Sequence, residues 1–278
     1  MSLDIFGVLQ LNSTISGGKT WYSTSWNNGV KRKIGENEWD PYDNRFGYTN
    51  GKGMIINGDG TATIRDFHTN HRMYVDGPWL NTEQTIYVLI RGQASSIQLS
   101  SRANHHGVKH LPYGWLLTPK AVSCGFGNYS AIWRLHEQRV SVELEIIHDL
   151  YRRHLAEKAS QPIRPSKWLG FKTVIKTHGG NKIKFEAYNI TDGTQDWTKS
   201  TEFLFDGSNA PVLDKTIAKF QFNLDYCKDK GDKISGNLNS NQIWNKCGKW
   251  NYVRINDAED VDLKWYSVRE IAPLLSAD

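Results

Sequence analysis

The run EQTIYVLIR, residues 83–91, repeats with the period of two expected of a strand. Gln84, Ile86, Val88 and Ile90 fall on one face, and Glu83, Thr85, Tyr87, Leu89 and Arg91 on the other. Gly92 and the stretch 94–96 turn the chain into a second run, SIQLSSRA, followed by His105 and His106. Pairing of the two runs as a hairpin would make one face apolar. The other would collect Tyr87, Arg91, Gln98 and Arg102, with the histidines at its rim. A sugar-binding sheet needs such a face, and any half-solvated antiparallel sheet also has one.

The same period returns along the chain. Tyr129, Ala131, Trp133 and Leu135 share a face in GFGNYSAIWRLHEQ, and Val140, Val142, Leu144 and Ile146 share one in RVSVELEIIHDL. NGDG at 57–60, between IIN and TATIRDF, marks a tight turn. WLGFKTVIKT, a GGN turn and KIKFEAYNITDG predict a second hairpin whose polar side holds Lys172, Lys184, Glu186 and Tyr188. DLKWYSVREI reads as a closing strand. YRRHLAEKAS predicts one short surface helix, ended near Pro162 and Pro165. At least ten short strands with no sustained helical period predict an all-β fold, a two-sheet antiparallel jelly-roll β-sandwich with minor helix. The expected organisation is a single domain over 1–278 with a loop-rich insert near 207–255.

Composition changes the picture in one respect. Apolar residues are 38% of the chain, yet there are 11 Trp and 12 Tyr. Such rings pack cores, and they also stack on sugars because they join a flat apolar face to a hydrogen-bonding edge. The net charge of +5 is spread along the sequence and mildly favours an anionic partner. No nucleic-acid motif and no apolar run long enough to span a membrane is present. Three cysteines make no disulfide framework; Cys227 and Cys247 could bridge in an oxidising compartment, leaving Cys124 free. Asn12, Asn128 and Asn189 head glycosylation sequons. The start, MSLDIFGVLQ, lacks signal-peptide character. A trimmed chain stays compatible with secretion, and the expected location is extracellular or at the cell surface.

The order WLNTEQTIYVLIRG, SSRANHH, CGFGNY, HEQ, WLGFKTVI, GGNKIKFEAYNITDG and DLKWYSVREI resembles the concanavalin A-like jelly-roll superfamily. More closely it resembles poorly characterised archaeal and bacterial members near polysaccharide-lyase and lectin-like families. That superfamily hosts lectins, hydrolases, lyases and adhesive modules, so the resemblance implies a fold and a polysaccharide partner more than a reaction.

Three chemistries fit the residues. A lyase acting on a uronate-containing glycan needs a cation for the carboxylate, a base for the C5 proton and an acid for the leaving oxygen. Arg91 and Arg102 are candidate clamps, His105 or His106 the base, and Tyr188 or Tyr87 the acid. His105, Tyr188 and Arg102 form the expected catalytic set; Arg91, Tyr87, Gln98, Lys172, Lys184 and His106 are expected to bind substrate. The R-x-E-L-R, Q-I-H and Y-F-K-x-G-x-Y segments of alginate lyases are absent. A retaining glycoside hydrolase would use Glu143 and Glu145, but ELEIIH carries His148 where an acid/base carboxyl belongs. The alternative is a non-catalytic carbohydrate-binding, lectin-like module, which needs only polar positions and aromatic platforms. No cofactor is required. Adjacent His105 and His106 would point apart on a strand and make no metal site. The resemblance leaves room for a structural Ca²⁺, with Asp257, Glu259, Asp260 and Asp262 as acidic candidates. Oligomeric state is left open.

Overall fold

The computed structural model describes residues 2–103, 126–147, 151–160, 166–178, 182–191, 196–205 and 248–274. Two antiparallel sheets face each other across a hydrophobic core. One runs in the order β15 (Thr198–Phe205), β14 (Lys182–Ile190), β13 (Leu169–His178), β8 (Thr82–Gln93), β17 (Glu259–Glu270), β6 (Thr61–Ile64), β5 (Met54–Ile56) and β2 (Arg32–Ile34), with β1 (Thr20–Tyr22) also paired to β17. The other runs β12 (Tyr151–Ala159), β11 (Arg139–Ile147), β10 (Phe126–Arg134), β9 (Ser96–Ala103), β16 (Gly248–Asn256), β7 (His71–Trp79), β4 (Asp43–Thr49) and β3 (Glu38–Asp40). Among the described residues, helix is confined to one 3-10 turn, Ser23–Asn27. No helix among them is long and apolar enough to cross a membrane. The architecture is the two-sheet jelly-roll sandwich that the alternating runs predict.

Period-two patterning builds the core directly. Ile86, Val88 and Ile90 of β8, Phe171 and Ile175 of β13, and Leu263 and Val268 of β17 face inward from one sheet. Ile97 and Leu99 of β9, Ala131 and Trp133 of β10, and Val140, Val142 and Leu144 of β11 meet them from the other. Gln84 shares the inward face of β8, and its amide crosses the core: Nε2 donates to the Tyr252 carbonyl of the opposite sheet at 3.1 Å. It also reaches the Tyr266 hydroxyl at 3.0 Å. The NGDG turn joins β5 to β6, and β13 pairs with β14 from Gly170↔Ile190 to His178↔Lys182, both as expected.

Three expectations are corrected. β8 and β9 do not form a hairpin. β8 lies between β13 and β17, while β9 lies between β10 and β16. Each strand has one apolar face, and the link through buried Ala94 carries the chain over the sandwich edge so that these faces meet across the core rather than side by side. The segment expected as a helix, 150–159, contains β12, paired antiparallel to β11 with Val142 opposite Ala156. Its helix-favouring Leu, Ala, Glu and Lys yield to the pairing offered by the β11 edge. The end of the expected insert, 248–255, is the central strand β16; Cys124, Cys227 and Cys247 lie outside the described residues. The sequons at Asn128 and Asn189 are also not surface acceptors, since both side chains are buried.

His71 of β7 is fully buried beside Tyr48, whose hydroxyl lies 2.5 Å from Nδ1, while Nε2 lies 3.3 Å from the Ala258 carbonyl. The neutral tautomer with the proton on Nε2 satisfies both contacts. Gly51 makes room for the pair, because a Cβ there would sit 2.4 Å from the Tyr48 hydroxyl. Burial pulls the His71 pKa down to about 4 from 6.5. The unfolded chain therefore takes up a proton that the folded chain refuses between those values. Stability should rise with pH across that window and be lost below it, by about 3 kcal/mol from this group. Urea unfolding between pH 7 and pH 4 checks the slope, and His71→Gln should flatten it.

Candidate functional site

Glu83, on the outward face of β8, is wholly buried. Its Oε1 lies 2.7 Å from both Lys172 Nζ of β13 and Arg269 Nη2 of β17. The backbone N–H groups of Leu11 and Asn12 donate to the same carboxylate at 3.2 and 2.9 Å. Lys172 also donates to the Leu9 carbonyl at 2.7 Å, and Arg269 to the Asn12 carbonyl at 3.1 Å. These bonds pin residues 9–12 across three neighbouring strands. Burial by itself would raise the Glu83 pKa; Lys172 and then Arg269 outweigh it and hold the carboxyl below the ordinary range.

The pinned segment continues a small hairpin in which Asp4 Oδ1 accepts from the N–H groups of Phe6 and Val8, each at 2.9 Å. Phe6 and Val8 then lie against a satellite cluster on the outer face of the nine-stranded sheet, with Tyr87, Ile190, Trp168, Trp197 and Trp265. Tyr87 is the buried centre of this cluster; Trp197 and Trp265 stand edge-on to it at 5.9 and 5.0 Å. Gly170 permits the contact, since a Cβ there would approach the Trp197 ring to 2.9 Å and Tyr87 to 3.2 Å.

A β-bulge sets the rest. In a regular strand Lys264 and Trp265 would point to opposite faces. The register of β17 against β8 shifts between Lys264 and Ser267, and Trp265 takes φ 53°. Both side chains emerge on the outer face, and Tyr266 turns into the core. Lys264 Nζ lies 3.7 Å from the Trp265 ring centroid and 4.3 Å from that of Trp168. Burial lowers its pKa. No carboxylate among the described residues pairs with it. Trp168, Trp197, Trp265 and Lys264 are all half-buried, so each keeps surface for a ligand.

Five of the residues expected at the site share this outer face: Tyr87, Arg91, Lys172, Lys184 and Tyr188. Tyr87 and Lys172 meet at Trp197, with Lys172 Nζ 4.5 Å from its ring. Lys172 supports the face from beneath, committed to Glu83. Arg91 donates to Asp262 at 2.7 Å rather than to a glutamate. Tyr188 lies opposite Lys172 in register, and burial, then Glu186, raise its phenol pKa. Lys184 joins a ring of alternating charge with Glu186, Lys199 and Glu202. Each exposed pair there adds about 0.2–1 kcal/mol.

Gln98 and Arg102 belong to the opposite sheet. Gln98 Nε2 contacts Ser100 and Ser130 hydroxyls at 3.0 and 2.9 Å, on a face that is itself buried. Arg102, at φ 54°, donates to the Leu80 carbonyl at 2.7 Å and to Thr177 Oγ1 at 3.0 Å. Thr177 has the core-facing parity of Phe171 and Ile175, so Arg102 and Tyr188 do not converge. His105, His106 and His148 lie outside the described residues. Glu143 is buried and paired to Arg134 at 2.8 Å.

The acidic candidates do not form a calcium cage. Asp260 pairs with Arg65, Asp262 with Arg91, and Asp257 accepts from Ser95 at 2.6 Å. Among the described residues no three His, Cys, Asp or Glu side chains are grouped to share an ion. The residues that sequence reasoning left unassigned are Phe6, Trp168, Trp197, Lys264 and Trp265. The tryptophan excess is the only signal for the three tryptophans among them.

The fold is a two-sheet antiparallel jelly-roll sandwich with an aromatic cluster on one outer face. No protein-family model matches the chain, and no curated protein matches it. Among solved structures it is similar to the VIP36 exoplasmic/lumenal domain in its Ca²⁺-bound form, at 7% identity, covering 89% of this chain and 91% of that one, TM-score 0.49. It is similar also to carbohydrate binding module CBM66 from Bacillus subtilis (9% identity, 75% and 86% coverage, TM-score 0.39). A third is lectin II from Ulex europaeus (7%, 87% and 98%, TM-score 0.41). Likenesses this distant assign neither a ligand nor a site to this chain.

Removing the Glu83 charge strands two buried cations. Glu83→Gln should cost about 3–5 kcal/mol in urea unfolding at neutral pH. Because the folded pKa is depressed, the Glu83 contribution is present above the ordinary value of 4.5 and lost as pH falls through the lowered one. The gap between wild type and variant should therefore narrow on acidification.

Proposed function

We propose that the protein is a glycan-binding module that holds a polysaccharide against the aromatic outer face of its nine-stranded sheet. The observation that carries this reading is the half-buried group of Trp168, Trp197 and Trp265 on Tyr87, with Lys264 over two of its rings. A pyranose ring has an apolar C–H face that packs on an indole, and a rim of hydroxyls that needs polar partners. Lys264, its ammonium over the Trp265 and Trp168 rings, supplies such a partner beside them. Having no carboxylate of its own among the described residues, it favours a polymer bearing acidic groups. Such a polymer puts the working location outside the cell or at its surface.

The division of the expected lyase groups between two sheets supports binding without turnover. β-Elimination needs clamp, base and acid around one sugar, and Arg102 is occupied between Leu80 and Thr177. Native affinity electrophoresis through uronate and neutral polysaccharides tests the reading. At least one polymer should retard the wild type. Trp168→Ala and Lys264→Met should each weaken retention about tenfold, the size of one lost aromatic or charged contact. Circular dichroism should be unchanged. Release of unsaturated uronate ends by the wild type would overturn this reading in favour of a lyase.

A further inference from the structure

Farther along the same outer face lies a hollow of about 560 Å³, lined by His178, Lys184, Glu202, Leu204 and Leu274. Strands β13, β14 and β15 supply three sides. The tail after β17 supplies the fourth, held where the Leu274 N–H donates to the Thr177 carbonyl at 2.9 Å. Glu186 and Glu202 stand directly opposite each other in the register of β14 and β15, a repulsive arrangement when alone. Lys184 contacts both at 3.1 and 3.2 Å, and Lys199 contacts both at 2.9 Å, closing a ring of four charges. Lysine Lys184 and carboxylate Glu202 present that ring to the hollow.

The ring is electrically neutral, so it gives no net attraction to an anion or a cation. It does present an ammonium donor beside a carboxylate acceptor. A hydroxyl uses both, accepting from one and donating to the other, and two adjacent hydroxyls on a sugar ring match the pair. Leu204, 42% exposed, and Leu274 offer apolar surface for the C–H face of the same sugar. His178 completes the lining beside them. We infer that this hollow is a subsite for a neutral, diol-bearing sugar unit. The inference deepens the proposed glycan binding and rests on it. Six residues of β14 separate Lys184 from Ile190 of the aromatic cluster, about 20 Å at the rise of a strand, so one polymer chain can reach both hollow and aromatic face.

The test titrates the full chain by calorimetry with maltotriose, cellotriose, mannotriose, xylotriose and trigalacturonate. At least one neutral trisaccharide should bind. Glu202→Gln, which removes the acceptor charge, and Leu204→Arg, which fills the hollow, should each weaken it about tenfold or more. Trp168→Ala should leave that binding unchanged. Neutral binding that survives both hollow variants, or no neutral binding at all, would overturn the subsite. So would a loss on Glu202→Gln confined to trigalacturonate. Neutral binding lost in Trp168→Ala alone would overturn the subsite and keep the aromatic face. Loss in the hollow variants, with polymer retention indifferent to Trp168→Ala and Lys264→Met, would keep the subsite and overturn the aromatic face.

Discussion

The outer face of the nine-stranded sheet depends on one buried carboxylate. Glu83 carries a charge out of solvent that would be untenable alone, and Lys172 and Arg269 from the strands on either side compensate it. Two backbone N–H groups and the Asn12 side-chain amide complete its shell. The result is a joint of four chain segments with little freedom to rearrange, because moving any one strips a partner from a desolvated ion. The N-terminal hairpin is held to the sheet by that joint, and its Phe6 and Val8 form one wall of the aromatic cluster. A strong polar joint beneath the face keeps weakly contacting rings in fixed positions above it.

The rings owe their direction to two local departures from ideal strand geometry. The bulge in β17 places Lys264 and Trp265 on one side instead of two. Gly170 leaves the gap through which Trp197 reaches Tyr87. Both are backbone devices, and both cost conformational freedom or strain that core packing must offset. Tyr266, turned inward by the same bulge, provides part of that packing and contacts Gln84, whose Nε2 also donates across the sandwich to the Tyr252 carbonyl.

An aromatic cluster and a charge ring therefore occupy one sheet face, fed by adjacent strands. The opposite sheet is organised differently. Its outward residues Gln98, Ser100 and Ser130 satisfy one another in a buried network. Arg102 works as a bracket between the sheets rather than as an open cation. The division gives one face half-buried aromatic rings and leaves the other a closed polar layer.

The strands themselves were legible in the sequence because side-chain direction in an extended chain alternates regardless of context. The inward rows of β8, β10 and β11, and the β13–β14 pair, follow from period-two spacing alone. So did the grouping of Lys172, Lys184, Glu186 and Tyr188, which are neighbours through a hairpin local in sequence. What spacing could not decide was which sheet each strand joins. β8 and β9 are consecutive, and only the burial of both apolar faces across one core separates them, sending Tyr87 and Gln98 to opposite outer faces. The edge of β11 likewise turned a helix-favouring segment into β12. Trp265 escaped notice because its bulge reverses the parity on which strand reading relies. The union of Phe6, Trp168, Trp197 and Trp265 with Tyr87 joins positions far apart in the chain, and long-range packing alone decides such contacts.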